Sequence, residues 1–280
     1  MLRDTGSPRA DAEADFLRAR RLQVISALAS RVRLEDDGDR RALPFQEVVD
    51  ALGLLEEVSL GLRIIPVDRI VGSVDKVRDF DPKFRPRTGR NRQRWERIAE
   101  AVRRGETLPP IDVYQVGEMY FVRDGHHRVS VHRALALPTI EADVRLVRTL
   151  VDPDDVRARS DLAGRELQRL FLQRVPIGRA LQDAVELSNA EGYPWLAEMV
   201  EAWAARLMFA ENTCLDRGRA AHRWYAEEFV PVTTMIDEAG LRKKDETPAD
   251  AYMRAAGERY AIFRNHVWNA EVIAELLRHR

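Results

Sequence analysis

The sequence predicts an α+β protein: a small mixed-sheet domain flanked by an N-terminal helical pair and an all-helical C-terminal domain. Three observations predict it. Residues 62–147 alternate strand and helix patterns in the order strand, helix, hairpin, helix, strand. Beyond Asp152-Pro153-Asp154-Asp155 the apolar period is helical nearly to Arg280, and that part holds 12 of the 20 aromatic residues. Before residue 54, two amphipathic segments are too small to build a core alone and are expected to pack on the mixed-sheet domain. The divisions read as 1–61, an N-terminal helical extension, then 62–150, the mixed-sheet domain, then 151–280, the helical domain.

Taken in order, residues 1–13 are polar, contain Gly-Ser-Pro and are expected to be disordered. Leu17, Leu22, Ile25, Leu28, Ala29 and Val32 recur at helical spacing and predict a helix over 15–33. Glu35 to Arg41 reads as a loop, and Pro44 opens a second helix that Gly53 stops. Leu62 to Ile65 is a short strand ended by Pro66, with one helical turn over Val67 to Ile70. Lys76 to Gln93 is a long charged loop, and loops of that length in compact domains are commonly functional. A helix over 94–104 comes next, with Trp95, Ile98 and Val102 on one face and Gly105 as its stop. Ile111–Val116 and Met119–Val122 alternate around Gly117-Glu118, the pattern of a β-hairpin. A helix over 126–136 and a strand over 140–147 complete the domain. In the last part Pro194, Pro231 and Pro248 divide the chain into five or six helices.

Composition bounds the function. Forty-five basic and 46 acidic residues nearly cancel, which argues against a protein that coats nucleic acid with its whole surface but not against a local basic patch. The single cysteine, Cys214, forms no internal disulfide and reads as a small packed residue. No 18-residue apolar run and no signal-peptide core occur, so the expected location is cytoplasmic.

The chemistry concentrates at Asp124-Gly125-His126-His127-Arg128, where a buried strand runs straight into a helix. The first amides of a helix have no internal partner and carry the positive end of its dipole. A glycine at the junction lets an anion approach the backbone, and the imidazoles and guanidinium add donors at the same end. Arg128 is suited to fork onto two phosphate oxygens. The plainer account makes Asp124 an N-cap, Gly125 a turn glycine and the histidines surface residues. His127 and His132 are five apart, about 140° around a helix, and do not face one metal; no metal site is expected.

These residues resemble the sulfiredoxin and ParB N-terminal superfamily. The resemblance covers about residues 62–147 and rests on Leu108-Pro-Pro-Ile-Asp-Val113, Tyr120-Phe121, the Gly125-His-His-Arg128 turn and Ile140-Glu-Ala-Asp-Val144. In sulfiredoxins the matching turn reads Gly-Cys-His-Arg and holds ATP phosphates; in ParB it reads Gly-Glu-Arg-Arg and holds CTP phosphates. Free serine kinases of the superfamily carry Asp-Gly-His-x-Arg, which this turn fits best. The resemblance implies that Gly125, His127 and Arg128 form a phosphate cradle, with Arg85 and Arg94 where an Arg-Pro step and a helix-opening lysine fall. Asp124 and His126 are the implied catalytic positions, Asp124 as metal contact or base. Arg97 and Ala101 stand where sulfiredoxins place a serine and a threonine on the nucleotide. His126 occupies the place of the reductase's cysteine nucleophile, which argues against that reaction.

From Lys83 to Arg104 there are nine basic and two acidic residues. This stretch reads as a solvated face, as a clamp on nucleotide phosphates through Arg85 and Arg94, or as a DNA-backbone contact through Arg87, Arg90 and Arg92. In the last part, 181–207 gives helices joined at Gly192-Tyr193-Pro194 without the short turn of a helix-turn-helix. His222 to Pro231 and Thr247 to Tyr252 resemble tails that accompany ParB-like modules in bacterial proteins. The resulting expectation is a protein that binds nucleotide phosphates (ATP, ADP or CTP, with magnesium), as an NTPase or phosphotransferase-type switch. DNA and a second copy of the chain are the candidate partners. The alternatives are a DNA-binding partition or transcription regulator, or a ParB-like nuclease.

Overall fold

A computed structural model describes residues 5–32, 43–74, 80–154 and 156–279. The chain divides into two compact units, Met1–Ala163 and Gly164–Arg280. The N-terminal helices share the first unit with the sheet.

In the first unit, helix α1 spans Pro8–Val32 and starts well inside the stretch expected to be disordered. The reason lies in contacts that polar composition hides. Ala12 and Phe16 are buried against Trp95 and Ala99, with the Phe16 and Trp95 rings edge to face at 5.6 Å. Buried Asp15 accepts from Arg103 at 2.6 Å, and Asp11 stands 3.8 Å from the same guanidinium. The expected loop over Glu35 to Arg41 lies outside the described residues. Strand β1 (Leu43–Pro44) leads into α2 (Phe45–Leu52), whose first turn tolerates the proline because its N–H would be unpaired there.

β2 (Leu54–Pro66) is far longer than the four residues foreseen; Val67–Arg69 is the single helical turn, and β3 (Ile70–Ser73) comes after it. Then come α3 (Arg92–Arg103), the hairpin β4 (Ile111–Val116) and β5 (Met119–Asp124), α4 (His126–Ala134) and β6 (Thr139–Thr149). The six strands form one mixed sheet in the order β1-β3-β5-β4-β6-β2. β3 runs parallel to β1 and β5, β4 runs parallel to β6, and the β4–β5 and β2–β6 pairs are antiparallel.

Alternation along the strands separates the two faces. Val113 and Val122 face one way and join Ile111, Ala142, Val144 and, from α4, Val129 in the main core. Tyr114 and Phe121 face the other way, against Phe45 of α2, whose ring stacks on Tyr114 at 4.4 Å. α4 therefore packs on one face and α2 on the other, with α1 and α3 seated against α4.

The second unit is helical among its described residues. α5 (Leu162–Arg174) opens at the boundary, followed by α6 (Arg179–Gln182), α7 (Tyr193–Glu211), α8 (Arg217–Trp224), α9 (Val230–Glu238), α10 (Pro248–Phe263) and α11 (Ala270–Arg278). Residues 181–207 are not a helix-turn-helix: α6 has four residues, a short turn lies at Ala190–Gly192, and α7 runs for 19. Between α8 and α9 a π-turn at Tyr225–Phe229 absorbs the hydrogen bond that Pro231 cannot make, and Thr233 and Thr234 hydroxyls cap the carbonyls of Phe229 and Val230. Trp224, Phe229 and Tyr252 pack ring on ring at this unit's centre.

Candidate functional site

β5 delivers the chain to α4 through Gly125, which has φ +100° and sits at the N-cap position. A side chain there would place its Cβ 2.4 Å from Ile111 Cγ2 and 3.2 Å from Arg128 Nε. The missing side chain is thus demanded by a left-handed backbone and by the neighbouring strand, whatever approaches from outside.

Around this turn the foreseen residues sort into two groups. The first is buried. His126 is 3% exposed, and its Nε2 is hydrogen-bonded to Ser73 Oγ at the end of β3. Its ring forms a three-ring cluster with those of Phe80 and Phe84, at 6.0 and 6.4 Å, while Phe80 meets His127 edge-on at 5.3 Å. The segment carrying these phenyl rings is held by Asp81, whose carboxylate accepts from the amides of Lys83 (3.0 Å) and Arg85 (2.8 Å) and from Arg85 Nε (2.6 Å). Phe84 closes the turn with φ +57°, an uncommon conformation for an aromatic residue, and is almost fully buried. Arg85 is therefore spent on Asp81, on this segment's own turn.

The second group sets a largely buried Arg128 among exposed Asp124 and Arg94. Arg128 reaches from the first turn of α4 to the carbonyls of Pro109 and Pro110 and to Asp124 Oδ2 at 2.9 Å. Asp124 itself is largely exposed. Burial holds the Arg128 guanidinium below its ordinary pKa, and the like charge of Arg94 pushes the same way, against the opposing pull of Asp124. Arg94 projects from the first turns of α3, is exposed, and forms no ion pair among the described residues. His132, one turn along α4, donates from Nδ1 to the Arg128 carbonyl at 2.9 Å. Burial, the largest influence, lowers its pKa, and the Arg128 charge adds to that. Arg128 and His132 line a cleft of about 310 Å³ with Thr107, Pro109 and Glu141.

The basic stretch separates in the same manner. Arg92 pairs with Glu96, Arg104 with Glu100 and Arg103 with Asp15. Arg87 is half-buried, and its carbonyl accepts from Arg20 of α1. Of the foreseen DNA contacts Arg87, Arg90 and Arg92, only Arg90 is an exposed cation without a carboxylate among the described residues; Arg94 and Arg97 join it. Among the described residues no three His, Cys, Asp or Glu side chains gather as a metal site. Sequence reasoning missed Ser73, Phe80, Phe84, Asp81 and the charge role of His132. Asp81-Pro-Lys-Phe-Arg-Pro86, with aromatics between turn formers, was the available signal that this loop is built and packed.

The mixed sheet whose central hairpin hands over to a helix at a Gly-His-His-Arg turn is a ParB-like fold. Residues 70–158 match the family model of the ParB N-terminal domain, so this part of the chain is a ParB-like domain. Among solved structures, the crystal structure of sulfiredoxin from Arabidopsis thaliana is similar at 24% identity, over 30% of this chain and 82% of that one, with a TM-score of 0.24. No curated protein matches the chain. No helix among the described residues is long and apolar enough to cross a membrane.

Proposed function

We propose that the face shared by the start of α3 and the first turn of α4 binds the phosphates of a nucleotide, with Arg94 and Arg128 as its cations. One observation carries this reading: the Arg128 guanidinium is fixed at the first turn of α4 by the Pro109 and Pro110 carbonyls and by Asp124 at 2.9 Å, and exposed Arg94 adds a second, repelling positive charge to it. A polyanion relieves that repulsion, and binding to charged groups contributes about 1.5–3 kcal/mol per hydrogen bond. Arg128 is preset by Pro109 and Pro110, so little side-chain freedom is lost on binding. The match to the ParB N-terminal domain supports the same assignment. Magnesium would arrive with the nucleotide, its charge carried by the phosphates, and exposed Asp124 is the carboxylate at the turn that would meet it. Arg97 and Ala101 offer no hydroxyl to a ribose, so the reading is of phosphate recognition without an assigned base.

Calorimetry on the whole chain with ATP, ADP and CTP, each with magnesium, tests this. Arg94→Ala removes an exposed side chain and should weaken binding about tenfold or more; no saturable heat with any of the three in a folded sample would end the proposal. A second reading, contact with a DNA backbone, is favoured by the exposed, uncompensated row Arg90, Arg94 and Arg97. It requires duplex affinity that falls steeply with salt and weakens when Arg90 and Arg97 become alanine.

A further inference from the structure

On the other side of α4 from Arg128 and His132, a second cleft opens, about three times larger at about 930 Å³. Its walls come from α1, from the turn after β2, from the Asp81-stapled segment and from the last turns of α4. Leu22, Val67, Ala134 and Leu137 give it an apolar surface, and Leu22 is 50% exposed although it belongs to a helix whose opposite side is buried. The size is that of a site for a small organic molecule.

Its polar groups are few and directional. Ser130 is 2% exposed yet lines the cleft; its Oγ accepts the Trp95 indole N–H at 2.9 Å, and its own proton forms no hydrogen bond among the described residues. A buried donor left without an acceptor is costly, and a ligand oxygen would supply one. Arg133 is committed to the carbonyls of Pro82, Val67 and Ile70, and Arg85 to Asp81. Lys83 is exposed, lines the cleft and has no carboxylate partner among the described residues. The cations Lys83, Arg85 and Arg133 stand against the carboxylates Asp68 and Asp81, which leaves one positive charge uncompensated.

We infer that this cleft binds a small amphiphilic monoanion, a carboxylate on an aromatic or branched aliphatic body, with the carboxylate taken by Lys83 and the Ser130 hydroxyl and the body by Leu22, Val67 and Ala134. The site shares no side chain with the Arg94–Arg128 face and stands without the nucleotide reading. It shares the segment 80–86 with the buried turn, because Lys83 and Arg85 line the cleft while Phe80 and Phe84 pack on His126. A ligand here therefore touches the element that covers the turn.

The test is a calorimetric titration of the full chain with 2-naphthoate, followed by its neutral counterpart 2-naphthamide and by inorganic phosphate. Saturable binding of 2-naphthoate is expected, with the amide and phosphate each at least about tenfold weaker. Lys83→Glu should abolish the preference for the acid over the amide. Leu22→Glu, on an exposed helix position that leaves the fold intact, should weaken both, and Arg94→Ala should change neither. Absence of saturable 2-naphthoate binding, equal affinity for acid and amide, or indifference to both Lys83→Glu and Leu22→Glu would overturn the inference. Because Arg94→Ala is scored separately with nucleotide, failure here and failure of the nucleotide reading are distinguishable.

Discussion

Among the left-handed glycines of the first unit, Gly105 and Gly125 differ in what surrounds them, and the difference can be measured. Gly105, after α3, has φ +72° and open space where a Cβ would lie. Gly125 has φ +100° and a wall: Ile111 Cγ2 at 2.4 Å. Gly105→Ala should cost about 1–2 kcal/mol, the left-handed penalty alone. Gly125→Ala adds an overlap with a packed strand and should cost well beyond that in urea denaturation; equal losses would show that Ile111 yields freely. His132 offers a second measurement. Its folded pKa lies below the ordinary 6.5, burial being the main cause and the Arg128 charge the second. As pH falls through about 6.5 the unfolded chain takes up this proton before the folded one, so the contribution to stability is complete above that pH and is lost progressively as pH drops toward the folded value. Histidine NMR titration should find His132 below 6.5, and Arg128→Ala should raise it. The residues of the Asp124–Arg128 turn were legible because a glycine between a strand and a helix is visible in a one-dimensional string. The burial of His126 was not, because Ser73, Phe80 and Phe84, its neighbours, lie 42 to 53 positions away.

At the scale of elements, the seating of α3 positions the proposed nucleotide face. Trp95 is its anchor, buried between Phe16 and Ser130. Arg103 is its electrostatic tether, 14% exposed and facing Asp11 and Asp15, both nearly fully buried. Deleting one partner of such a cluster leaves uncompensated buried carboxylates, so Arg103→Ala should cost about 3 kcal/mol by thermal or chemical denaturation. Arg104→Ala, which breaks an exposed pair with Glu100 one residue away, should cost well under 1 kcal/mol. A similar loss in both would mean that α1 does not hold α3. The hairpin and the two helices around it were readable because their periods of 2 and 3.6 run for several repeats. β1 and β3 were not, since two and four residues are too few to show a period, and Gly72 inside β3 reads as a breaker. Its real role is close approach: a Cβ there would fall 2.1 Å from the Leu43 carbonyl of β1. The disorder expected up to residue 13 failed over Pro8–Glu13 for the opposite reason, side chains whose partners lie on α3.

For the whole molecule, the mixed sheet and the helical C-terminal part that the sequence predicts are both present. Asp152-Pro153-Asp154 looks like a linker, yet Val151 and Val156 are buried and Pro153 lies 2.5 Å from the place of a Gly117 side chain, so this segment closes the first unit. The compact division comes after Ala163. Every side chain assigned to the phosphate face (Arg94, Asp124, Arg128, His132) and to the larger cleft (Leu22, Lys83, Ser130, Ala134) lies before it. The first unit also holds its own core, built on Ile111, Val113, Val122, Val129 and Val144, and its six-stranded sheet needs no strand from the helical unit. Residues 1–163 expressed alone should therefore unfold cooperatively and bind magnesium nucleotide with the affinity of the whole chain, within about twofold by calorimetry. A folded fragment that has lost tenfold or more would place part of the binding surface in Gly164–Arg280, and the Arg94–Arg128 pair would then be only one edge of the site.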